Sequence, residues 1–133
     1  MQELITQEVT ELHQFFQDWF NGDLENTDTA FSRFAQVMAP QFEIVGPDGK
    51  TTAREKLLPL LRGLHASRRA QSFRIEIKNV RSHSLGSGLY LVSYEEWQYS
   101  GDETRHWQSS AIMRVSEGTP NRLAWEHVHE TYN

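Results

Sequence analysis

Along the first twenty residues the apolar positions Ile5, Val9, Leu12, Phe16, Trp19 and Phe20 recur at steps of four, three, four, three and one. That spacing draws a single face on a helix, and Asn21-Gly22-Asp23 ends it. A second helix is predicted from about Asp28 to Ala39, capped by Asn26 or Thr27, with Phe31, Phe34, Ala35 and Met38 turned inward. Pro40 closes it, because the residue before a proline is pushed out of the helical region. Phe42-Glu43-Ile44-Val45 predicts a short strand, and Gly46-Pro47-Asp48-Gly49 a turn. Thr52-Ala53-Arg54-Glu55 reads as a capping box opening a third helix through Leu57, Leu58, Leu61 and Leu64. Pro59 is expected to kink or shorten that helix and Gly63 to weaken it.

From Phe73 the period changes to two. SFRIEIKNV, GLYLVSYEEWQY, RHWQSSAIMRV and RLAWEHVHETY predict four strands, separated by Leu85-Gly86-Ser87-Gly88, Ser100-Gly101-Asp102 and Gly118-Thr119-Pro120-Asn121. Short turns between consecutive strands make them antiparallel. The predicted order is α-α-β-α-β-β-β-β, an α+β fold with three N-terminal helices on a mainly antiparallel sheet.

Both faces of that sheet carry large side chains. After Gly88 one face holds Leu89, Leu91, Ser93, Glu95, Trp97 and Tyr99, the other Tyr90, Val92, Tyr94, Glu96 and Gln98. In the last strand Trp125, His127 and His129 alternate with Glu126, Val128, Glu130 and Tyr132. Three helices cover only one face, so Leu91, Trp97, Ile112, Trp125 and His127 are assigned to an outer face that a second copy of the chain would cover. The alternative is a strongly bent sheet that tucks these residues under its own loops or helices.

The 133 residues show no repeat or linker and read as one domain. There is no cysteine, which excludes disulfides and cysteine-based zinc sites. A formal charge of −5 argues against nucleic acid, and the short basic run of Arg62, Arg68 and Arg69 suits the end of a helix. No apolar run approaches the ~20 residues of a membrane span. The acidic start MQELITQEVTE does not resemble a secretory signal. A cytoplasmic protein without membrane association is expected.

The element order, the Phe42 to Gly49 strand and turn, and the closing tryptophan with its histidines resemble the nuclear transport factor 2-like superfamily, within it the SnoaL-like small bacterial domains. Trp125-Glu126-His127-Val128-His129-Glu130-Thr131 is also similar to the last strand of the calcium/calmodulin-dependent kinase association domain, where histidines follow the tryptophan at the fourth and sixth positions. His129 matches the first and Thr131 departs from the second. The resemblance implies a curved sheet folded into a cone around a pocket, with the outer face often paired to another subunit. It spans isomerases, dehydratases and cyclases as well as non-catalytic binding and assembly modules, so fold alone does not choose between them.

Mapped on that cone, Phe16, Trp19, Tyr94, Trp107, Met113 and Val128 form the pocket wall, and Glu130, Tyr132 and Glu96 are the candidate catalytic groups. A carboxylate in an apolar cone loses hydration, its pKa rises, and it becomes a general base near neutral pH. A tyrosine hydroxyl can donate to a developing enolate oxygen. This is acid/base chemistry on a small organic molecule without metal or organic cofactor. His127 and His129 share one strand face, with His106 or Glu95 within reach as a third ligand, but no closed ligand set is recognisable and a polar interface is the plainer reading. His13 is placed off the helical stripe, in solvent; His65 is placed near the end of the third helix. One slipped residue in the last strand would reverse every assignment beyond it.

Overall fold

The computed structural model describes residues 1–132. Helix α1 (Gln2–Asn21) is followed by α2 (Asp28–Ala35), β1 (Met38–Val45), β2 (Thr51–Ala53), α3 (Arg54–Arg62), a short 3-10 turn (Arg69–Gln71), β3 (Arg74–Gly86), β4 (Leu89–Ser100), β5 (Glu103–Val115) and β6 (Leu123–Tyr132). The strands form one six-stranded sheet in the order β2-β1-β6-β5-β4-β3. Every pairing is antiparallel except β1 with β6, which is parallel. This is the expected α+β architecture of three helices against a mainly antiparallel sheet. No helix is long and apolar enough to cross a membrane.

Helix α1 ends where its sequence says. Gly22 takes the left-handed conformation, at φ 74°, and its N–H and that of Asp23 return to the Trp19 and Asp18 carbonyls. A side chain at Gly22 would also collide with Arg69 and Ala66. Thr27 caps α2 by accepting from the Ala30 N–H.

Three expectations are corrected. Helix α2 stops at Ala35, because Met38 and Ala39 belong to β1: the Trp125 N–H donates to the Val37 carbonyl at 2.7 Å and draws this segment into the sheet. Pro40 therefore lies inside β1, in the stretch between Met38 and Glu43 where pairing with β6 is irregular and a missing N–H is tolerated. The capping box does not form. Thr51 and Thr52 pair with Val45 and Ile44, and α3 begins after Ala53 without a side-chain cap. Trp125 does not face outward. Met113 pairs with Trp125 and Ile112 with His127, so Glu126 is an extra residue, a bulge. The bulge puts Trp125 on the same side as Val128 and Glu130, and Trp125 is only 1% exposed.

The core lies between α1, α2 and the inner sheet face, with Val9, Leu12, Phe34, Val92, Met113 and Leu123 buried. Each such side chain contributes about 1.5–3 kcal/mol on leaving water. One buried anion organises this layer. Glu8, fully buried on α1, accepts from Arg33 at 2.8 Å, from Asn121 at 3.0 Å and from the Trp125 indole at 2.8 Å. It ties α1 to α2, to the β5–β6 loop and to β6. Replacing it strands the buried Trp125 N–H and leaves Arg33 and Asn121 with only the more exposed Glu11 as acceptor, at a cost of about 3–5 kcal/mol. Glu8→Ala is therefore expected to lose that much stability in urea unfolding; a loss under about 1 kcal/mol would show that the network does not hold the layer together.

Candidate functional site

The inner face of β4, the end of β6 and the middle of α1 converge on a cavity of about 180 Å³. Its wall is mostly apolar, with Phe16, Phe20, Phe34, Trp125 and Val128 among the contributors. Leu57 and Leu61 of α3 also reach it, although no residue of that helix is fully buried. Four titratable groups share this apolar space: His13, Tyr94, Glu96 and Glu130.

His13 corrects the expectation of a solvated side chain, being only 5% exposed. Its Nδ1 lies 2.7 Å from the Val9 carbonyl and its Nε2 3.1 Å from Glu96 Oε1. A carbonyl and a carboxylate both only accept, so both ring nitrogens must donate and the ring is an imidazolium. Burial opposes that charge, but the Glu96 carboxylate and the Val9 carbonyl outweigh it and raise the pKa above 6.5. Burial likewise disfavours ionised Glu96, yet His13 and the Gln98 amide, donating at 2.6 Å, hold its pKa below 4.5.

Glu130 has no such partner. Its carboxylate accepts no hydrogen bond from the described residues. Burial, then repulsion from Glu96, lift its pKa to about 7, against a weaker pull from His13. Tyr94, buried beside the His13 ring with centroids 5.4 Å apart, is pushed well above 10 by burial and by the two carboxylates, so it stays a neutral hydroxyl. At neutral pH the cavity thus holds a fixed ion pair, a neutral phenol and a carboxyl poised to take or give a proton.

The other sequence-assigned positions fall in several places. Tyr94, Phe16 and Val128 line the cavity. Met113 and Trp19 are buried behind its wall, the Trp19 indole donating to the Leu61 carbonyl at 2.8 Å. Trp107 packs 5.9 Å from Tyr132, which is 67% exposed at the end of β6 and does not line the cavity. Leu91, Ile112 and His127 share the outer face in register, with Leu91 exposed. Trp97 stacks on His106 with centroids 3.8 Å apart. His127 lies 3.7 Å from Glu43, and His65 lies 2.6 Å from the Leu24 carbonyl. Among the described residues no group of three or more His, Asp or Glu is arranged to hold a metal ion.

Residues 5–133 match the family described as sucrose-6-phosphate phosphohydrolase C-terminal, and the chain belongs to that family. It is 32% identical over 130 residues to sucrose-phosphatase 1 of Nicotiana tabacum, covering 94% of this chain and 30% of that protein. It is 28% identical over 126 residues to sucrose-phosphatase 2 of the same plant, covering 94% and 30%. The chain therefore spans less than a third of the length of these relatives. Among solved structures it is similar to an NTF-2 like protein of unknown function from Pseudomonas aeruginosa, at a TM-score of 0.85, 24% identity and 98% of each chain. The CaMKII hub of S. rosetta follows the same path at a TM-score of 0.70 and 10% identity, over 98% of this chain and 95% of that one. The fold is NTF2-like.

The titrations have a definite sign. Glu130 holds its proton to about pH 7 when folded but only to about 4.5 when unfolded, so its ionisation costs stability as pH rises through that window. The His13 part of the ion pair is fully present below pH 6.5 and is lost as pH climbs through its raised pKa. The Glu96 part is present above 4.5 and is lost as pH falls through its lowered one. Stability is expected to peak between these limits and to fall toward pH 8. Glu130→Gln should reduce the loss between pH 5.5 and 8 by about 2 kcal/mol in urea unfolding; equal losses in the two proteins would contradict the raised Glu130 pKa.

Proposed function

We propose that this chain is a small-molecule-binding domain whose cone takes a compact, largely apolar organic ligand and presents Glu130 to it as a proton acceptor. The observation that carries this reading is the half-buried Glu130 carboxylate, which accepts no hydrogen bond from the described residues, in a cavity where one imidazolium already neutralises Glu96. A ligand O–H, N–H or acidic C–H aimed at Glu130 supplies the missing donor. The Tyr94 hydroxyl is available to a ligand oxygen on the same side. Proton abstraction beside a carbonyl, or hydration and dehydration, needs no more than this base and this donor. Glu96 then serves as a positioning residue that keeps His13 charged, and the catalytic role expected for Tyr132 passes to Tyr94.

Family membership favours a second reading, in which the cone is a non-catalytic companion to a phosphohydrolase and only binds. Two carboxylates against one imidazolium make the cone itself unsuited to an anion. In either reading the outer face, with exposed Leu91 beside Ile112, is proposed to pair with a second copy of the chain.

Native mass spectrometry of protein purified from its own host tests these together. The expected species is a dimer retaining a small organic molecule. Val128→Phe, which fills the cavity at a tolerable packing cost of about 1–3 kcal/mol, should be folded and empty. A wild-type protein as empty as the filled variant would remove the binding function; a monomer at micromolar concentration would remove the paired outer face.

A further inference from the structure

The cone is short of one positive charge. Its charged groups are His13 from α1, Glu96 from β4 and Glu130 from β6, and Tyr94 and Gln98 of β4 add a neutral hydroxyl and an amide. The elements α2, α3, β1 and β3 bring only apolar side chains to the cavity, among them Phe34, Leu57 and Ile44. On β5 the register partner of Glu130 is Ser109, a neutral residue. Among the described residues no lysine or arginine lines this space. Two carboxylates therefore face one imidazolium.

His13 cannot serve both acids. Its Nε2 lies 3.1 Å from Glu96 and its Nδ1 2.7 Å from the Val9 carbonyl, which leaves no ring N–H for Glu130. The Gln98 amide also donates to Glu96. A water molecule or a ligand hydroxyl could donate to Glu130, but neither brings the missing charge. A protonated amine brings N–H donors and a positive charge together, and such charge-assisted bonds are roughly twice as strong as neutral ones. The wall suits the rest of such a ligand. Phe16, Phe20, Phe34 and Trp125 line the cavity, and aromatic faces attract a cation within about 6 Å. The volume of about 180 Å³ sets the size. A dry cavity of about 150 Å³ holds one benzene molecule, so this one has room for a single six-membered ring with a short arm.

We propose that the cone selects a protonated amine, an ammonium group on a compact aryl or alkyl body, with the ammonium at Glu130 and the body against the aromatic wall. This rests on the reading of the cone as a ligand cavity and names the chemical class of that ligand. The pair has a pH signature. Glu130 holds a proton up to about pH 7, so below that an ammonium ion must displace it, whereas at pH 8 it meets a carboxylate. Deprotonation of His13 in the same range removes a competing cation and acts in the same direction.

Isothermal titration of the purified chain with benzylamine, benzyl alcohol and benzoate tests the assignment. The three probes share one ring and differ in carrying a positive, a neutral or a negative head. At pH 8 benzylamine is expected to bind about tenfold more tightly than benzyl alcohol, and benzoate not measurably. Lowering the pH to 5.5 should weaken benzylamine about thirtyfold and leave benzyl alcohol within about threefold. Glu130→Gln, which keeps the size of the side chain, should abolish the preference for the amine, and Val128→Phe should remove binding of both. Benzyl alcohol binding as tightly as benzylamine, or an amine preference that survives Glu130→Gln, would overturn the amine assignment; loss of that binding in Val128→Phe would still leave the cone a ligand cavity. Binding that survives Val128→Phe, or no binding of any probe, would overturn the amine assignment and the binding reading together.

Discussion

One imidazole has to serve two carboxylates. His13 and Glu96 form a pair inside an apolar cone, and Glu130 enters the same space from β6, on the far side of β5 from Glu96, with no donor among the described residues. Removed from water, a carboxylate keeps its charge only if a partner compensates it. The partner is already committed: both nitrogens of His13 are engaged, one by the Val9 carbonyl and one by Glu96. Glu130 therefore carries the unresolved cost, as a pKa near 7. The same feature makes the cavity a place for chemistry or for a ligand that brings a donor, because either relieves what folding leaves unsatisfied.

The rest of the fold can be understood as the means of holding that arrangement. Helix α1 buries two rows of side chains, and each row includes one polar group. The row Ile5, Glu8, Leu12, Phe15 and Trp19 brings Glu8 to Arg33, Asn121 and Trp125; the row Val9, His13, Phe16 and Phe20 brings His13 to Glu96. The Glu126 bulge is the second requirement. Without it Trp125 would point outward when Val128 and Glu130 point in, and neither the Glu8 contact nor the tryptophan wall of the cone would exist.

Strong periodicity made the helices, the four long strands and the inward direction of Glu96 and Glu130 legible in the sequence. The limits were physical. Parity counting carries no trace of a bulge, so Trp125 was assigned to the wrong face. A capping pattern at Thr52 lost to strand pairing with β1, and a proline that normally ends a helix instead sits where β1 departs from regular pairing. His13 was missed because attention to apolar residues hides a buried charge. Its spacing, four after Val9 and three before Phe16, was the available signal. Alternation makes Tyr132 look like a pocket donor, but it is the last residue of β6, exposed beside Trp107 and away from the cavity.

The cone is apolar and anionic, with the Gln98 amide bound to Glu96. The cone's charge balance is the point on which the whole account turns. Following the Glu130 side-chain carboxyl carbon by NMR through pH 4 to 9, with His13 ring resonances in the same samples, measures it directly. The account predicts a Glu130 midpoint near 7 and an imidazolium at His13 that persists above pH 6.5. A Glu130 midpoint at the ordinary 4.5, or a neutral His13 at pH 6, would contradict it.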